Sequence, residues 1–120
     1  MNKIAINTNV LIYSHDENSG NKQNIARDLI VSSPFVCTQV VSEYISVLKR
    51  IFKIPKTMLI NACTPNLRYC QIQAVNITTL QTAERLINRY DFQVFDAIIV
   101  ASALESGCQI LYSEDMQHKM

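Results

Sequence analysis

The sequence has no tryptophan, only two glycines and three prolines, and no excess of one charge. Few glycines and prolines, together with 48% hydrophobic residues, exclude a disordered chain and favour a compact protein rich in regular structure. A formal net charge of +1 excludes a global basic field, so any nucleic acid must be bound through a local patch. No apolar run reaches the roughly 18 residues of a membrane-spanning helix, and no charged-then-apolar leader precedes the first predicted strand. We therefore expect one cytoplasmic domain over residues 1–120 that makes no membrane contact.

The cysteines show neither a CxxC pair nor the spacing of zinc ligands. They lie inside apolar stretches, at Cys37, Cys63, Cys70 and Cys108. We predict reduced and mostly buried thiols, which excludes a disulfide-stabilised secreted fold.

Short apolar runs typical of buried strands occur at residues 3–6, at the run that ends at Thr38, at residues 71–75 and at residues 110–112. Segments with helical spacing separate them. Strands that alternate with helices and read as continuous apolar runs predict an α/β fold with a parallel sheet covered on both faces. In such sheets the ligand crevice lies beyond the carboxyl ends of the strands.

Several helix boundaries follow from local signals. Pro55 suits the start of a helix over residues 56–63, and Pro65 is expected to end it. Thr78 or Thr79 is expected to cap the following helix. The last helix is predicted to begin near Phe95 and to stop at Gly107.

Four oxygen-bearing side chains are predicted to lie at strand ends or in early helix turns, namely Asn7, Glu43, Asp96 and Asp115. Asp96 is the most informative, because its apolar neighbours in "VFDAIIVASAL" suggest a carboxylate without a solvated surface. The three carboxylates also have ordinary explanations: Asp96 at a helix start that favours negative charge, Glu43 on a solvated helix face, and Asp115 in a turn.

Convergence of these side chains on one rim favours a cation, since neighbouring carboxylates repel each other unless a cation neutralises them. Oxygen ligands of this kind suit Mg²⁺ or Mn²⁺. Such ions can activate water and stabilise charge on a phosphodiester, so the predicted chemistry is metal-dependent phosphodiester hydrolysis.

The motifs "NTNVLIY", "VVSEYISVL", "FDAIIVASALESGC" and "ILYSEDMQH", in this order and spacing, closely resemble the PIN-domain family and in particular its VapC-type ribonuclease toxins. The resemblance covers essentially the whole sequence. It implies a three-layer α/β/α fold with a central parallel sheet, usually a homodimer, that cleaves RNA with Mg²⁺ or Mn²⁺ and is held inactive by a cognate antitoxin.

The acidic quartet of that family falls on Asn7, Glu43, Asp96 and Asp115, so the resemblance implies that these four positions form the catalytic metal site. Asn7 departs from the pattern, because the family has aspartate there. An amide removes one negative charge and adds an N–H donor, so we expect weakened or abolished activity. Both an introduced inactivating substitution and a naturally decayed site fit Asn7.

Three further polar residues of these motifs match the family, namely Thr8, Asn9 and Ser113, and the resemblance implies that they orient the metal ligands by hydrogen bonds. Local turn bonding is the alternative for them. The family continues past "SEDMQH" into a final strand, whereas this sequence ends at Lys119-Met120, so we expect either a truncated sequence or no closing strand.

Two rival functions remain. A phosphoacceptor signalling domain needs paired acids after the first strand and a lysine after the last, where this sequence has Asn7-Thr8-Asn9 and Ser113-Glu114-Asp115. The nearer alternative is a non-catalytic PIN-like module that binds RNA or an antitoxin without cleaving. The basic cluster Lys49, Arg50, Lys53 and Lys56 is interpreted as a solvated face, with phosphate contact as the alternative. The two histidines, His15 and His118, are interpreted as surface residues.

Overall fold

Residues 2–113 and 117–119 are described by the structure, a computed structural model. Five short strands form one sheet: β1 (Ile4–Ile6), β2 (Phe35–Cys37), β3 (Gln71–Gln73), β4 (Ile110–Tyr112) and β5 (Gln117–Lys119). Their order across the sheet is β3-β2-β1-β4-β5. The first four run parallel, which confirms the predicted α/β fold, and β5 runs antiparallel to β4.

The helices lie between the strands along the chain: α1 (Thr8–Tyr13), α2 (Asn21–Val31), α3 (Thr38–Arg50), α4 (Leu59–Leu67), α5 (Ile77–Tyr90) and α6 (Val94–Glu105). Two 3₁₀ turns, Glu17–Ser19 and Lys56–Met58, precede α2 and α4. Helices α1 to α4 pack on one another, and α5 packs mainly on α6. The sheet is thus flanked by helices as in a three-layer α/β/α fold.

Helix α6 contributes to two hydrophobic clusters, which explains why its sequence is apolar on nearly every side. Ile99 and Ala103 belong to the main core with the central strands β1 and β2. Ala97, Ile98 and Ala101 pack with Ala83 of α5 in a second cluster. Burial on several faces fixes the axis of α6, and with it the position of Asp96 in its first turn.

Two predicted helix boundaries were wrong. Helix α4 does not end at Pro65 but continues to Leu67. Pro65 is exposed and lies close to the end of the helix, so its missing N–H removes one bond and leaves the packing face intact. Helix α5 is capped by Asn76, not by Thr78 or Thr79: the Asn76 Oδ1 accepts from the Thr79 N–H at 3.1 Å.

A short closing strand, β5, follows β4, where we expected either a truncated sequence or no closing strand. Backbone pairing joins Ile110 to Lys119 and Tyr112 to Gln117 in antiparallel register, so β5 covers the outer edge of β4. An edge covered in this way leaves fewer unpaired backbone groups than an open one. The opposite edge of the sheet is formed by β3.

The cysteine prediction is confirmed. All four cysteines are free thiols, with Cys37, Cys63 and Cys108 buried and Cys70 half-buried. Burial raises the pKa of each thiol, that of Cys70 to about 11, so they are neutral and unreactive near pH 7. In the part of the chain that the structure describes, no helix has the length and hydropathy needed to cross a membrane.

Candidate active site

Asn7 stands between β1 and α1 and is held from two sides. Its backbone N–H donates to the Tyr112 carbonyl oxygen at 2.9 Å, continuing the pairing of β1 with β4. Its side-chain Oδ1 accepts from the Thr8 N–H at 2.6 Å and caps α1. The polar run "NTN" is therefore the junction of a buried strand with a helix that starts at once, and its amide has a structural role of its own.

Thr8 connects this junction to α3. Its hydroxyl donates to Oε2 of Glu43 at 3.0 Å, although the two residues are 35 positions apart in sequence. Thr8 is buried and Glu43 half-buried, and α1 packs directly on α3. A short β-branched donor on a packed helix has little rotamer freedom, so it fixes the orientation of the Glu43 carboxylate.

One cleft of about 380 Å³ brings these residues together with Asp96 from the start of α6. Its described lining is polar except for Val47 and consists of Asn7, Thr8, Asn9, Glu43, Ser46, Val47, Arg50 and Asp96. Three of the four positions predicted to form the site, Asn7, Glu43 and Asp96, thus meet at the carboxyl ends of the parallel strands. The fourth, Asp115, lies outside the described residues.

Asp96 differs from its prediction in one respect. It is exposed, and so are its neighbours Val94 and Phe95, the latter at 58%. The apolar residues beside it in sequence therefore do not enclose its carboxylate, because those before it face solvent while Ala97 and Ile98 after it face the core. Asp96 occupies the first turn of α6, where the helix dipole favours a negative charge.

Asn9 and Ser113, the other two residues predicted to orient the metal ligands, are placed differently from each other. Asn9 lines the cleft beside Thr8. Ser113 directly follows β4, and the last residue of β4, Tyr112, accepts a hydrogen bond from the Asn7 N–H at its carbonyl oxygen. It is near the same strand ends, but the described lining of the cleft does not include it.

The described residues supply two carboxylates and one amide to the cleft. Among them no group of three His, Cys, Asp or Glu side chains is close enough to hold a metal ion. This agrees with an amide at position 7, because an aspartate there would bring a third carboxylate into the lining. The donors that are present are all oxygens, the type that Mg²⁺ and Mn²⁺ prefer.

Sequence reasoning missed part of the lining. Ser46, Val47 and Arg50 follow Glu43 by three, four and seven positions and so share one face of α3. The spacing was available in the sequence, but nothing local showed which face of α3 borders the cleft. Arg50 was interpreted as one member of a basic cluster on a solvated face, with phosphate contact as the alternative.

His15 is not a plain surface residue. It is half-buried, its Nε2 is hydrogen-bonded to the Tyr44 hydroxyl, and its ring packs against Tyr44 and Phe52. Burial lowers the pKa of His15, and the nearby positive charge of Arg27 lowers it further. His15 is therefore neutral at pH 7, and its Nε2 can accept a hydrogen bond from the Tyr44 hydroxyl.

Tyr44 is the centre of this polar network, directly behind Glu43 on α3. Its side chain is fully buried, and burial raises its pKa to about 12. Asn66 of α4 donates from Nδ2 to the Tyr44 oxygen at 3.1 Å and to Ser14 Oγ at 2.9 Å. The network joins the end of α1 to α3 and α4, and so supports the helix pair that carries Thr8 and Glu43.

Helices cover both faces of a mostly parallel sheet, and a cleft lined by oxygen-bearing side chains lies at its carboxyl edge, the place where ligands bind in such sheets. The PIN domain family matches the sequence over residues 4–119, and the chain belongs to that family. Its fold is similar to the crystal structure of Mycobacterium tuberculosis VapC20, a toxin described as cleaving the Sarcin-Ricin loop. The TM-score is 0.73 at 19% identity, over 94% of this chain and 90% of that one. No curated protein sequence matches this chain.

Proposed function

We propose that this chain is a Mg²⁺- or Mn²⁺-dependent endoribonuclease of the VapC toxin type whose activity is weakened or abolished by Asn7. The main support for this proposal is the cleft in which Asn7, Glu43 and Asp96 meet, where the Thr8 hydroxyl orients the Glu43 carboxylate. Membership of the PIN-domain family and the likeness in fold to a toxin support it. The proposal includes a cytoplasmic location, RNA as substrate, a cognate antitoxin as inhibitor and a homodimeric state.

Glu43, Asp96 and Asp115 would hold the cation, with Asn7 in the place of a fourth ligand. When bound, the ion would supply positive charge that stabilises the phosphodiester as negative charge develops on it, and would lower the pKa of an attacking water. Hydrolysis forms one phosphorus–oxygen bond to water and breaks one to the adjoining nucleoside, whose oxygen takes up a proton. Thr8 contributes by holding Oε2 of Glu43 at 3.0 Å, and Asn9 and Ser113 are proposed to orient neighbouring ligands in the same way.

The amide of Asn7 weakens the proposed metal site. Its only acceptor oxygen already receives the Thr8 N–H bond, and its other side-chain group is an N–H₂ donor that a cation repels. Aspartate could accept the same capping bond with one oxygen and offer the second, with a full negative charge, to the cation. The cap therefore survives either residue, whereas the acid would strengthen metal binding.

The test is RNA cleavage by this chain and its Asn7→Asp variant, with bulk tRNA and ribosomal RNA as substrates in Mn²⁺. We expect the variant to cut at least about a hundredfold faster, and EDTA to stop it. Ser46→Asp is the matched control, because it adds the same charge to the same cleft at a position not proposed to hold or orient the metal ligands. Equal rates for the two aspartate variants, or no cleavage by the folded Asn7→Asp variant, would contradict the proposal.

A second candidate is a PIN-like module that binds RNA or an antitoxin without cleaving. The presence of only two carboxylates in the described lining favours it for the chain as it stands. It predicts that the Asn7→Asp variant binds RNA, remains folded and still does not cut.

A further inference from the structure

Arg50 is the only cation in the described lining of the cleft, which otherwise holds the carboxylates of Glu43 and Asp96. Its side chain is exposed at the end of α3. A polyanionic substrate is repelled by those carboxylates when no cation is bound, so an RNA strand needs a positive group in the cleft to approach them. Arg50 is placed to supply it.

Lys49 shows that a helix-terminal position alone does not account for this placement. Lys49 and Arg50 both lie in the last turn of α3, where a positive charge is favoured by the helix dipole. Lys49 is equally exposed but does not line the cleft. Of these two cations, Arg50 alone shares the face of α3 that carries Glu43.

The spacing assigns Arg50 to a different phosphate from the one cut. Arg50 follows Glu43 by seven residues, or two helical turns, which is about 10 Å along the helix axis. At that separation along one face of α3, the two side chains face different parts of a strand bound in the cleft. Ser46 and Val47 lie between the two and form the floor over which a strand would pass.

We propose that Arg50 binds a backbone phosphate of single-stranded RNA next to the scissile one, and so aligns the strand along α3 with the metal-binding end of the cleft. This rests on the proposed ribonuclease function. The planar guanidinium matches phosphate with two parallel hydrogen bonds, which a lysine cannot reproduce. Arg50 sets where along the strand the reactive phosphate lies and takes no part in the bond-breaking step.

The experiment measures binding of a short fluorescein-labelled single-stranded RNA by anisotropy, in EDTA, over roughly 50 to 200 mM salt. We expect Arg50→Gln to weaken binding about tenfold and to make the slope of log affinity against log salt shallower by about 0.7, the value for one phosphate contact on a single strand. Arg50→Lys should keep the slope and lose part of the affinity. Lys49→Gln is the matched control and should change neither.

Equal effects of Arg50→Gln and Lys49→Gln, or no measurable binding by the parent chain, would overturn the inference. A second arm introduces Arg50→Gln into the Asn7→Asp variant, where we expect KM to rise with little change in kcat. If Asn7→Asp cuts RNA and Arg50→Gln leaves KM unchanged, the inference fails and the ribonuclease function stands. If Asn7→Asp does not cut, the function fails, and the binding measurements still decide whether Arg50 contacts a phosphate.

Discussion

Replacing Tyr44 by phenylalanine tests whether the polar network behind Glu43 holds the helices together. The ring is fully buried and stays in place, so the substitution removes one oxygen and creates almost no cavity. That oxygen accepts from Asn66 Nδ2 at 3.1 Å and bonds to His15 Nε2. Both partners lose a bond in a site that water reaches poorly.

The expected loss follows from counting those bonds. Asn66 Nδ2 keeps its second partner, Ser14 Oγ at 2.9 Å, whereas no replacement for the His15 bond is evident among the described residues. At about 1 kcal/mol for each bond the free energy of unfolding falls by about 2 kcal/mol. For a chain of 120 residues 1 kcal/mol corresponds to about 4 °C in Tm, so Tm falls by about 8 °C.

Thermal melts and urea titrations at pH 7.5 measure this loss, with an unchanged m value as the sign that the native and unfolded states keep their compactness. Tyr69→Phe is the control, since Tyr69 is 52% exposed and should shift Tm by less than about 1 °C. A Tm for Tyr44→Phe within about 2 °C of the parent chain would refute the reasoning, because the network would then contribute nothing net.

Two further predictions concern charge. Asn7→Asp keeps the cap of α1 but adds a negative charge beside Glu43 and Asp96. We therefore expect the free energy of unfolding without metal to fall by about 1 kcal/mol, and Mn²⁺ to reverse the loss. Thermal melts that show no metal-dependent difference from the parent chain would count against this prediction. The pKa of His15 lies below its ordinary 6.5 in the folded chain, so the unfolded chain takes up the proton first. Stability should therefore fall as the pH drops below about 6.5 and gain nothing from this group above it. His15→Gln should flatten that part of the profile, and parallel urea-midpoint profiles for the two proteins would exclude the explanation.

The cap observed at position 7, together with the metal-binding role proposed for it, would explain how the fold can carry either an acid or an amide there. The cap of α1 is a side-chain oxygen, which asparagine and aspartate supply equally well. In the proposed metal site, the full negative charge of an aspartate would bind a cation more strongly than the neutral amide. A change from acid to amide can thus leave β1 and α1 undisturbed while it alters the chemistry of the cleft.

The sequence by itself determined the alternation of strands and helices, the parallel sheet and the meeting of Asn7, Glu43 and Asp96 at one edge. These features depend on local periodicity and on the general rule that parallel strands end at the same side of a sheet. The first motif is a strand joined directly to a helix, and its polar residues stand at that junction because the strand ends there.

Only the tertiary structure decided which side chains touch across distant elements. The Thr8–Glu43 bond, the burial of His15 against Tyr44 and the position of Arg50 in the cleft all depend on the angles at which α1, α3 and α4 pack. Those angles follow from the fit of whole helix faces. A helical spacing shows which residues share a face, but the partner of that face is chosen by contacts between segments far apart in the chain.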